Sequence, residues 1–489
     1  MRRALLILAT AVSLVPVWSF RHLPTQDGAS HVWNAQVFRD CVREERPEHE
    51  FYARRLNPVP NWTAPALLLG LTAFATPDTS EKLLASLYVV GLPLALWFFL
   101  GSLGLRGEAA LFGLLLVFNR CFFLGFSNYL LSLVLYFVVL GVFLRWPQAP
   151  SPRDMAGLAV LLLLTWFTHL FGFLLATVSL VWLAASGPGP KMPRLPKVAL
   201  ALVPGLVLTG VYLVTSGFFD PAVARRAARG VSALATDAPA ALHLELFAIH
   251  AGAWPLGLAG LGVAILWVVL TVLRGRDPGA WPDLRSWKRS LAVLAVSMLV
   301  SFAVVPDHLG AQGGFLKARL APLPFLLGAS LLPEASRRGA RALGALCLLV
   351  LLGLNLHLVG SYLASASRDL EEFEAATPLV KAGETLLALK PRPDDSRLVD
   401  IRAAEHYCLA TGAVCLGNYE AATRHFPVQL RPGVKERLKQ NRPGTFWADV
   451  LLAWEATEDQ LPLPEEPYRE VYRKGSLRLY RRGSTGAPR

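Results

Sequence analysis

Hydrophobic and polar positions form long blocks along this chain, with apolar runs separated by short polar connections. About 20 apolar residues are needed to cross a hydrocarbon core of ~30 Å, and several runs reach that length. The pattern predicts a mostly α fold, a polytopic transmembrane helix bundle of about 11 spans over residues 1–365. The predicted spans lie near residues 4–20, 62–77, 82–104, 108–119, 122–144, 155–185, 197–217, 244–273, 288–305, 315–333 and 341–364.

Positive charge predicts the orientation of these spans. Arg2 and Arg3 precede the first run, which favours a cytoplasmic N-terminus. A secretory signal is the competing interpretation, but no small-residue cleavage site follows Phe20, so we expect a retained helix. With eleven spans, the three basic connections lie in the cytoplasm and everything after Leu363 lies outside. These connections contain Lys191, Arg194 and Lys197; Arg274, Arg276, Arg285, Lys288 and Arg289; and Arg337, Arg338 and Arg341.

Composition agrees with a membrane protein. The chain is 54% hydrophobic and 17% charged over 489 residues, which is more apolar surface than one soluble core uses. The net charge of +13 follows largely from the basic cytoplasmic connections, so a nucleic-acid partner is not predicted. In a bacterium the chain would be a multi-pass protein of the inner (cell) membrane, within the cell envelope.

Charge and proline increase after Arg368, which predicts a soluble periplasmic α/β domain over residues 366–489. We expect helices over residues 369–389 and 403–410, strands over 396–401 and 414–416, and a terminal hairpin of 468–472 with 476–480. Cys408 and Cys415 flank a short loop and are a disulfide candidate in an oxidising compartment. No zinc-type pairing of C-x-x-C with a second such pair occurs, so we do not expect a structural metal site.

The first outer loop, residues 21–61, carries the strongest candidate chemistry. Asp27 follows the first span and is suited to accept a proton from an attacking hydroxyl. It also precedes an expected helix, so N-capping is the alternative, and both roles are compatible. His31 and Asn34 follow at helical spacing and point toward the same side as Asp27. Asp27 and His31 also suit a divalent cation such as Mg²⁺ or Mn²⁺, with further ligands from distant loops.

Positive charge on the outer side runs against the usual bias and suggests an anionic ligand, because guanidinium groups bind phosphate oxygens. The alternative is contact with lipid headgroups or with the tail. The candidates are Arg43, Arg46, Arg54 and Arg55 in the first loop, Arg225, Arg226 and Arg229 after the seventh span, and Lys317 and Arg319 in the tenth. His169 within the sixth span is a candidate by its depth, with a hydrogen bond to a neighbouring helix as the alternative. Asp307 and His308 rank below Asp27 and Arg319 as residues of an outer cavity.

These features together resemble the GT-C superfamily of membrane glycosyltransferases. The resemblance rests on Asp27 in the first outer loop, many spans, basic residues at the outer ends of later spans, and a periplasmic tail that closes on a hairpin over residues 468–481. Members commonly carry an acidic pair in that loop, and here Gly28 follows Asp27.

The resemblance implies a transferase that uses a polyprenyl-phosphate-linked sugar and a lipid, glycan or protein acceptor. Asp27 would act as general base, the anomeric carbon would be inverted, and Lys317 and Arg319, with Arg225 and Arg226, would stabilise the leaving lipid phosphate. The alternative from another class is a non-catalytic GT-C-like scaffold or a lipid-glycan transporter. A transporter typically places its polar groups near mid-membrane, whereas this chain concentrates them at the outer edge.

Overall fold

The structure, a computed structural model, describes residues 2–105, 107–147, 149–187, 194–216, 287–307, 314–331, 338–389, 403–440, 446–454 and 468–483. The chain divides into two compact units. The first consists of Met1–Ser19 with Ala85–Ser361, and the second of Phe20–Leu84 with Tyr362–Arg489. The division expected at residue 365 separates the first outer loop from the tail, whereas here these two segments belong to one unit.

Helices dominate the described residues. In chain order they are α1 (Arg2–Ser13), α2 (Val15–Trp18), α3 (Gly28–Asp40), α4 (Glu48–Phe51), α5 (Thr63–Leu71), α6 (Pro77–Ser102), α7 (Leu111–Leu115), α8 (Arg120–Phe123), α9 (Ser127–Leu144), α10 (Pro152–Thr168), α11 (Leu170–Ser186), α12 (Leu195–Thr215), α13 (Trp287–Val304), α14 (Leu316–Leu320), α15 (Pro322–Gly328), α16 (Arg338–Phe373), α17 (Ala404–Thr411), α18 (Tyr419–Ala422) and α19 (Pro432–Lys439).

Five helical segments of the described residues are long and apolar enough to cross a membrane: Pro77–Ser102, Ser127–Leu144, Leu195–Thr215, Trp287–Val304 and Gly344–Leu379, the last covering most of α16 and the 3-10 helix after it. The count of eleven is therefore not confirmed. The expected second span contains only the nine residues of α5, and the expected tenth contains the short helices α14 and α15. The expected eighth span, residues 244–273, lies outside the described residues.

The sixth expected span, residues 155–185, is two helices and not one. Helix α10 ends at Thr168 and α11 begins at Leu170, with His169 between them in an extended conformation. Each helix has 17 residues. The continuous apolar sequence concealed this break, because hydropathy does not register the backbone conformation of a single residue.

Helices of the first unit are apolar on both their inner and outer sides. Val160, Val178, Leu200, Val207 and Val296 are each more than half exposed on the helix surfaces. A helix that is hydrophobic all round requires an apolar environment outside the protein as well as inside it. Together with the five long apolar segments, this indicates a membrane protein.

Buried polar side chains hold neighbouring helices of this unit together. Tyr136 of α9 and Ser179 of α11 share a hydrogen bond of 3.0 Å, and Trp166 of α10 donates to Thr209 of α12 at 3.0 Å. Hydrogen bonds between side chains of different helices are a recurrent stabilising contact in membrane bundles, each typically worth less than ~2 kcal/mol.

The second unit contains a small mixed sheet, which confirms the prediction of a C-terminal region with strands. Its strands are β2 (Thr385–Leu389), β3 (Val414–Cys415), β5 (Val450–Ala453), β6 (Tyr468–Lys474) and β7 (Leu477–Arg482), in the order β3-β2-β5-β7-β6. Strands β3, β2 and β5 run parallel to one another, β7 runs antiparallel to β5, and β6 runs antiparallel to β7. The expected terminal hairpin is present, and Gly475 takes the positive φ of 55° that its tight turn requires.

The helix expected over residues 369–389 is only partly present. Helix α16 ends at Phe373, a 3-10 helix covers Glu374–Leu379, and Thr385–Leu389 is the central strand β2. Pro378 is incompatible with a continuing α-helix, and the apolar run after it pairs with β3 and β5 instead. The expected helix over 403–410 corresponds to α17, and the expected strand over 396–401 lies outside the described residues.

The first outer loop and the tail share one hydrophobic core. Strand β1 (Tyr52–Arg54) pairs antiparallel with β4 (Val428–Leu430). Trp33 and Val37 of α3 are buried in the same cluster as Tyr407 of α17. The first outer loop therefore folds together with the tail as one domain.

Candidate functional site

Asp27 stands at the N-terminus of α3, but its side chain does not cap that helix. The hydroxyl of Thr25 takes this place and accepts a hydrogen bond from the backbone N–H of Gly28 at 3.2 Å. The Asp27 carboxylate accepts hydrogen bonds from the Tyr419 hydroxyl at 2.8 Å and from the Gln26 amide at 3.2 Å. The Asp27 side chain therefore does not cap α3, and instead contacts Tyr419 of the tail and the adjacent Gln26.

A second buried carboxylate lies beside the start of α3. Oε1 of Glu81 accepts a hydrogen bond from the Thr25 hydroxyl at 2.8 Å. A Cβ atom added to Gly28 would lie 1.7 Å from this same oxygen and 2.3 Å from the Thr25 hydroxyl. Glycine is therefore the residue that fits at position 28, because the Glu81 carboxylate occupies the space that a side chain would need.

Glu81 is a candidate residue that the sequence analysis missed. It lies in the first turns of α6, one residue before the span expected from residue 82. The signal was an ionisable side chain at the edge of an apolar helix, where charge is costly unless it is used or paired.

His31 and Asn34 lie about one and two helical turns after Asp27, on the same side of α3. Nδ1 of His31 is 2.7 Å from Oε1 of Glu420, a residue with no solvent exposure. Asn34 donates to Oδ1 of Asn418 at 3.3 Å, and Asn418 donates back to Oδ1 of Asn34 at 2.8 Å.

Asp27, His31 and Asn34 therefore each contact a different one of three consecutive tail residues, Asn418, Tyr419 and Glu420. Asn418 also caps α18 by accepting from the N–H of Ala421 at 3.2 Å, which fixes this short helix against α3. We call these six side chains the α3 face.

A separate cluster lies in the same unit. His22 Nδ1 is 2.8 Å from Oδ1 of Asp78, and His22 Nε2 is 3.0 Å from Oε2 of Glu374. His406 Nδ1 is 3.4 Å from Oε1 of the same Glu374. We call these four residues the two-histidine cluster, and both of its histidines are buried.

The two histidines titrate in opposite directions. Burial opposes the charged form of His22, but its contacts with Asp78 and Glu374 outweigh this and raise its pKa to about 9. Burial dominates for His406 and lowers its pKa to about 4. At neutral pH and without any further ligand, the cluster holds an imidazolium at His22 and a neutral imidazole at His406.

A divalent cation was expected near Asp27 and His31. Among the described residues, ligand atoms of three metal-binding side chains come within 4.8 Å of one another only at His22, Asp78 and His406. Within the part of the chain that the structure describes, metal-binding geometry is therefore found at the two-histidine cluster and not at Asp27 and His31.

Lys317 and Arg319 lie on α14, in the first unit. Asp307 anchors this helix, since its carboxylate accepts from the N–H of Lys317 at 3.0 Å. The Arg319 guanidinium lies over the ring of Phe126, 5.0 Å from its centroid, and 5.9 Å from that of Tyr129. Cation–π contacts of this kind hold a guanidinium in a defined orientation.

The other candidates from the sequence include one helix cap and one contact with the tail. His169 caps α11, because its Nδ1 accepts from the N–H of Phe171 at 3.2 Å, which is a structural role at a helix junction. Arg55 donates to the tail at Thr423 and Gln429, in agreement with the tail-contact alternative. Arg225, Arg226 and His308 lie outside the described residues.

Cys408 and Cys415 are thiols in this structure, and both are buried. Burial raises the pKa of the Cys408 thiol well above its ordinary value, and a hydrogen bond with the Cys415 side chain adds to this. The two side chains are thus neighbours, as a disulfide requires, and their oxidation stays a prediction.

No known protein-family model matches this chain, and no curated protein sequence does.

Proposed function

We propose that this protein is an inverting membrane glycosyltransferase that transfers a sugar, a hexose or a pentose, from a polyprenyl-phosphate-linked donor. The observation that carries the proposal is the buried Asp27 carboxylate, which is held by Tyr419 and Gln26 and not used as a helix cap. A buried carboxylate at this position is a suitable group to accept the proton of an acceptor hydroxyl.

In the proposed reaction, Asp27 takes the proton of the acceptor hydroxyl as its oxygen attacks the anomeric carbon. The bond between that carbon and the phosphate oxygen breaks, and polyprenyl phosphate leaves with the bonding electron pair. Attack opposite the leaving group inverts the anomeric configuration. General-base assistance of this kind contributes about 10²–10⁴ in rate.

A second acid near Asp27, Glu81, also supports the proposal. GT-C members commonly carry a second acid next to the catalytic one, and position 28 holds glycine here. Glu81 brings a carboxylate into the space beside Gly28, so two acids flank the start of α3 although only one of them is in the first outer loop.

Lys317 and Arg319 are proposed as ligands of the lipid phosphate on the basis of charge and setting. Both lie on a short helix in an otherwise apolar sequence, where cations are costly unless they bind something. Replacing Arg319 with methionine keeps its length and removes its charge. We expect the KM for the donor to rise about 10- to 100-fold, the range for one lost charged hydrogen bond.

The central test is Asp27→Asn, assayed by release of polyprenyl phosphate from a radiolabelled polyprenyl-phosphate hexose or pentose, with host membrane extract as acceptor. Asparagine still accepts the Tyr419 hydrogen bond but takes up no proton at neutral pH. We expect normal folding and an activity loss of about 10²–10⁴. Asp40→Asn is the matched control, because it removes a second buried acid from the other end of α3.

Full turnover by the Asp27→Asn protein would reject Asp27 as the base. It would favour the non-catalytic scaffold or the lipid-glycan transporter, in which the buried Asp27–Tyr419 contact only joins the loop to the tail.

A further inference from the structure

We propose that the two-histidine cluster is a binding site for a transition-metal ion of the Zn²⁺ type, with His22, Asp78 and His406 as ligands and Glu374 as the residue that orients both imidazole rings. The site lies entirely within the second unit.

The donor set fits zinc. Two imidazole nitrogens and a carboxylate oxygen are zinc ligands, and three protein ligands plus one water form a common four-coordinate arrangement. The three ligand atoms lie within 4.8 Å of one another. Tetrahedral coordination at zinc places its donors ~3.3 Å apart, so the widest pair closes by at most ~1.5 Å when the ion binds.

Glu374 assigns a role to each ring nitrogen. It meets Nε2 of His22 through one oxygen and Nδ1 of His406 through the other, at 3.0 and 3.4 Å. Metal-bound histidines typically donate their second N–H to a carboxylate, which fixes the tautomer and the ring orientation. This leaves Nδ1 of His22, beside Oδ1 of Asp78, and Nε2 of His406 for the ion.

The charge and the burial of the two-histidine cluster also favour a divalent cation. Asp78 and Glu374 carry two negative charges, which balance one divalent cation once the ion has displaced the His22 proton to solvent and both imidazoles are neutral. Both histidines are less than a tenth exposed, so a bound ion would be largely shielded from water. The ligands come from positions 22, 78 and 406, and an ion would therefore bind the start of the outer loop, the start of α6 and helix α17 to one another.

The test uses the full-length protein purified in detergent, stripped with a chelator and then titrated with Zn²⁺. We expect about one tightly bound Zn²⁺ per chain and a rise in Tm on binding. His406→Gln should weaken zinc binding at least ~100-fold, and Glu374→Gln about 10- to 100-fold, the usual effect of removing an orienting partner. His49→Gln is the matched control, since its Nδ1 lies 3.0 Å from a backbone carbonyl oxygen of the same unit.

Cobalt provides a measurement that requires no variant. Co²⁺ in the wild-type protein should give the intense visible absorption of a tetrahedral site with nitrogen and oxygen ligands. Substoichiometric zinc in the wild type, an octahedral cobalt spectrum, or equal zinc affinity in His406→Gln and wild type would each overturn the proposal. The last of these results would identify an adventitious ion only. Every readout is binding or stability, so the outcome does not depend on sugar transfer.

Discussion

The α3 face and the two-histidine cluster lie in the same unit and both use tail residues, yet they differ in how the chain assembles them. Asp27, His31 and Asn34 are local, spaced by one helical turn, and each contacts one of three consecutive tail residues. The cluster takes its members from four distant segments. A helical period is readable from sequence, whereas a meeting of four segments exists only after folding.

The largest effect should come from breaking the His31–Glu420 contact. Glu420 is fully buried, and Glu420→Ala removes the carboxylate that lies 2.7 Å from Nδ1 of the buried His31. We expect a destabilisation of about 3–5 kcal/mol, measured by thermal or denaturant unfolding in detergent. Glu436→Ala is the control, because the Glu436–Lys439 pair is well exposed and worth about 0–1 kcal/mol.

The zinc affinity of the Glu420→Ala protein tests whether the α3 face and the two-histidine cluster are independent of each other. If the two regions are independent, folded Glu420→Ala protein should bind zinc as the wild type does. A parallel loss of zinc would show that the α3 face and the two-histidine cluster form one cooperative network.

Position 28 tests the close approach of Glu81. Gly28→Ala places a methyl group on the Glu81 carboxylate and the Thr25 hydroxyl, and overpacking of this kind costs about 1–3 kcal/mol. Adding Glu81→Ala should recover part of this loss. Gly70→Ala is the control, since a Cβ at that helical glycine meets nothing within 4 Å. Wild-type stability of Gly28→Ala would contradict the packing described around Asp27.

The reciprocal amide pair of Asn34 and Asn418 measures how firmly α3 holds the tail. Asn418→Ala should cost about 1–2 kcal/mol, because it loses both the pair and the cap of α18. A double-mutant cycle with Asn34→Ala isolates the pair itself, with an expected coupling of about 0.5–1.5 kcal/mol. A coupling of zero would mean that the two amides do not interact in solution.

The smallest effect concerns Asp40 at the other end of α3. Burial favours the neutral acid, but hydrogen bonds from Arg39 at 2.9 and 3.0 Å outweigh this and lower the pKa of Asp40. A carboxyl with a lowered folded-state pKa contributes stability above its unfolded pKa of about 3.9, and this contribution is lost as the pH falls through the folded-state pKa.

The stability difference between wild type and Asp40→Asn should therefore be constant near neutral pH and shrink below about pH 4. Unfolding curves of both proteins across that range provide the measurement. A difference that stays constant down to the lowest pH would mean that Asp40 is not paired in the folded protein.

Several expectations from sequence followed from local rules and agree with the structure. The apolar runs indicated membrane-crossing helices, and the alternation near the C-terminus indicated the hairpin with Gly475 at its turn. The spacing of Asp27, His31 and Asn34 indicated a common face of one helix. Each of these depends on neighbours within a few residues, where steric and hydrogen-bonding preferences act directly.

The number of spans and the break at His169 were beyond such rules. Helices α10 and α11 read as one apolar run because their composition does not change at the junction. Likewise, Thr385–Leu389 is apolar enough for a helix and became a strand because β3 and β5 pair with it. For a short apolar segment, the strands that are available to pair with it outweigh the intrinsic helix or strand propensity of its residues.

The sequence by itself determined that this chain forms apolar helices and a small terminal domain with strands, and that Asp27 begins a polar helix face. Only the tertiary structure decided that Thr25 caps that helix in place of Asp27, that Glu81 excludes a side chain at position 28, and that His22, Asp78, Glu374 and His406 meet. The physical reason is range: helical period and turn geometry act over a few residues, whereas the contacts of Glu81 with Gly28 and those within the two-histidine cluster join positions 32 to 352 residues apart, which only packing brings together.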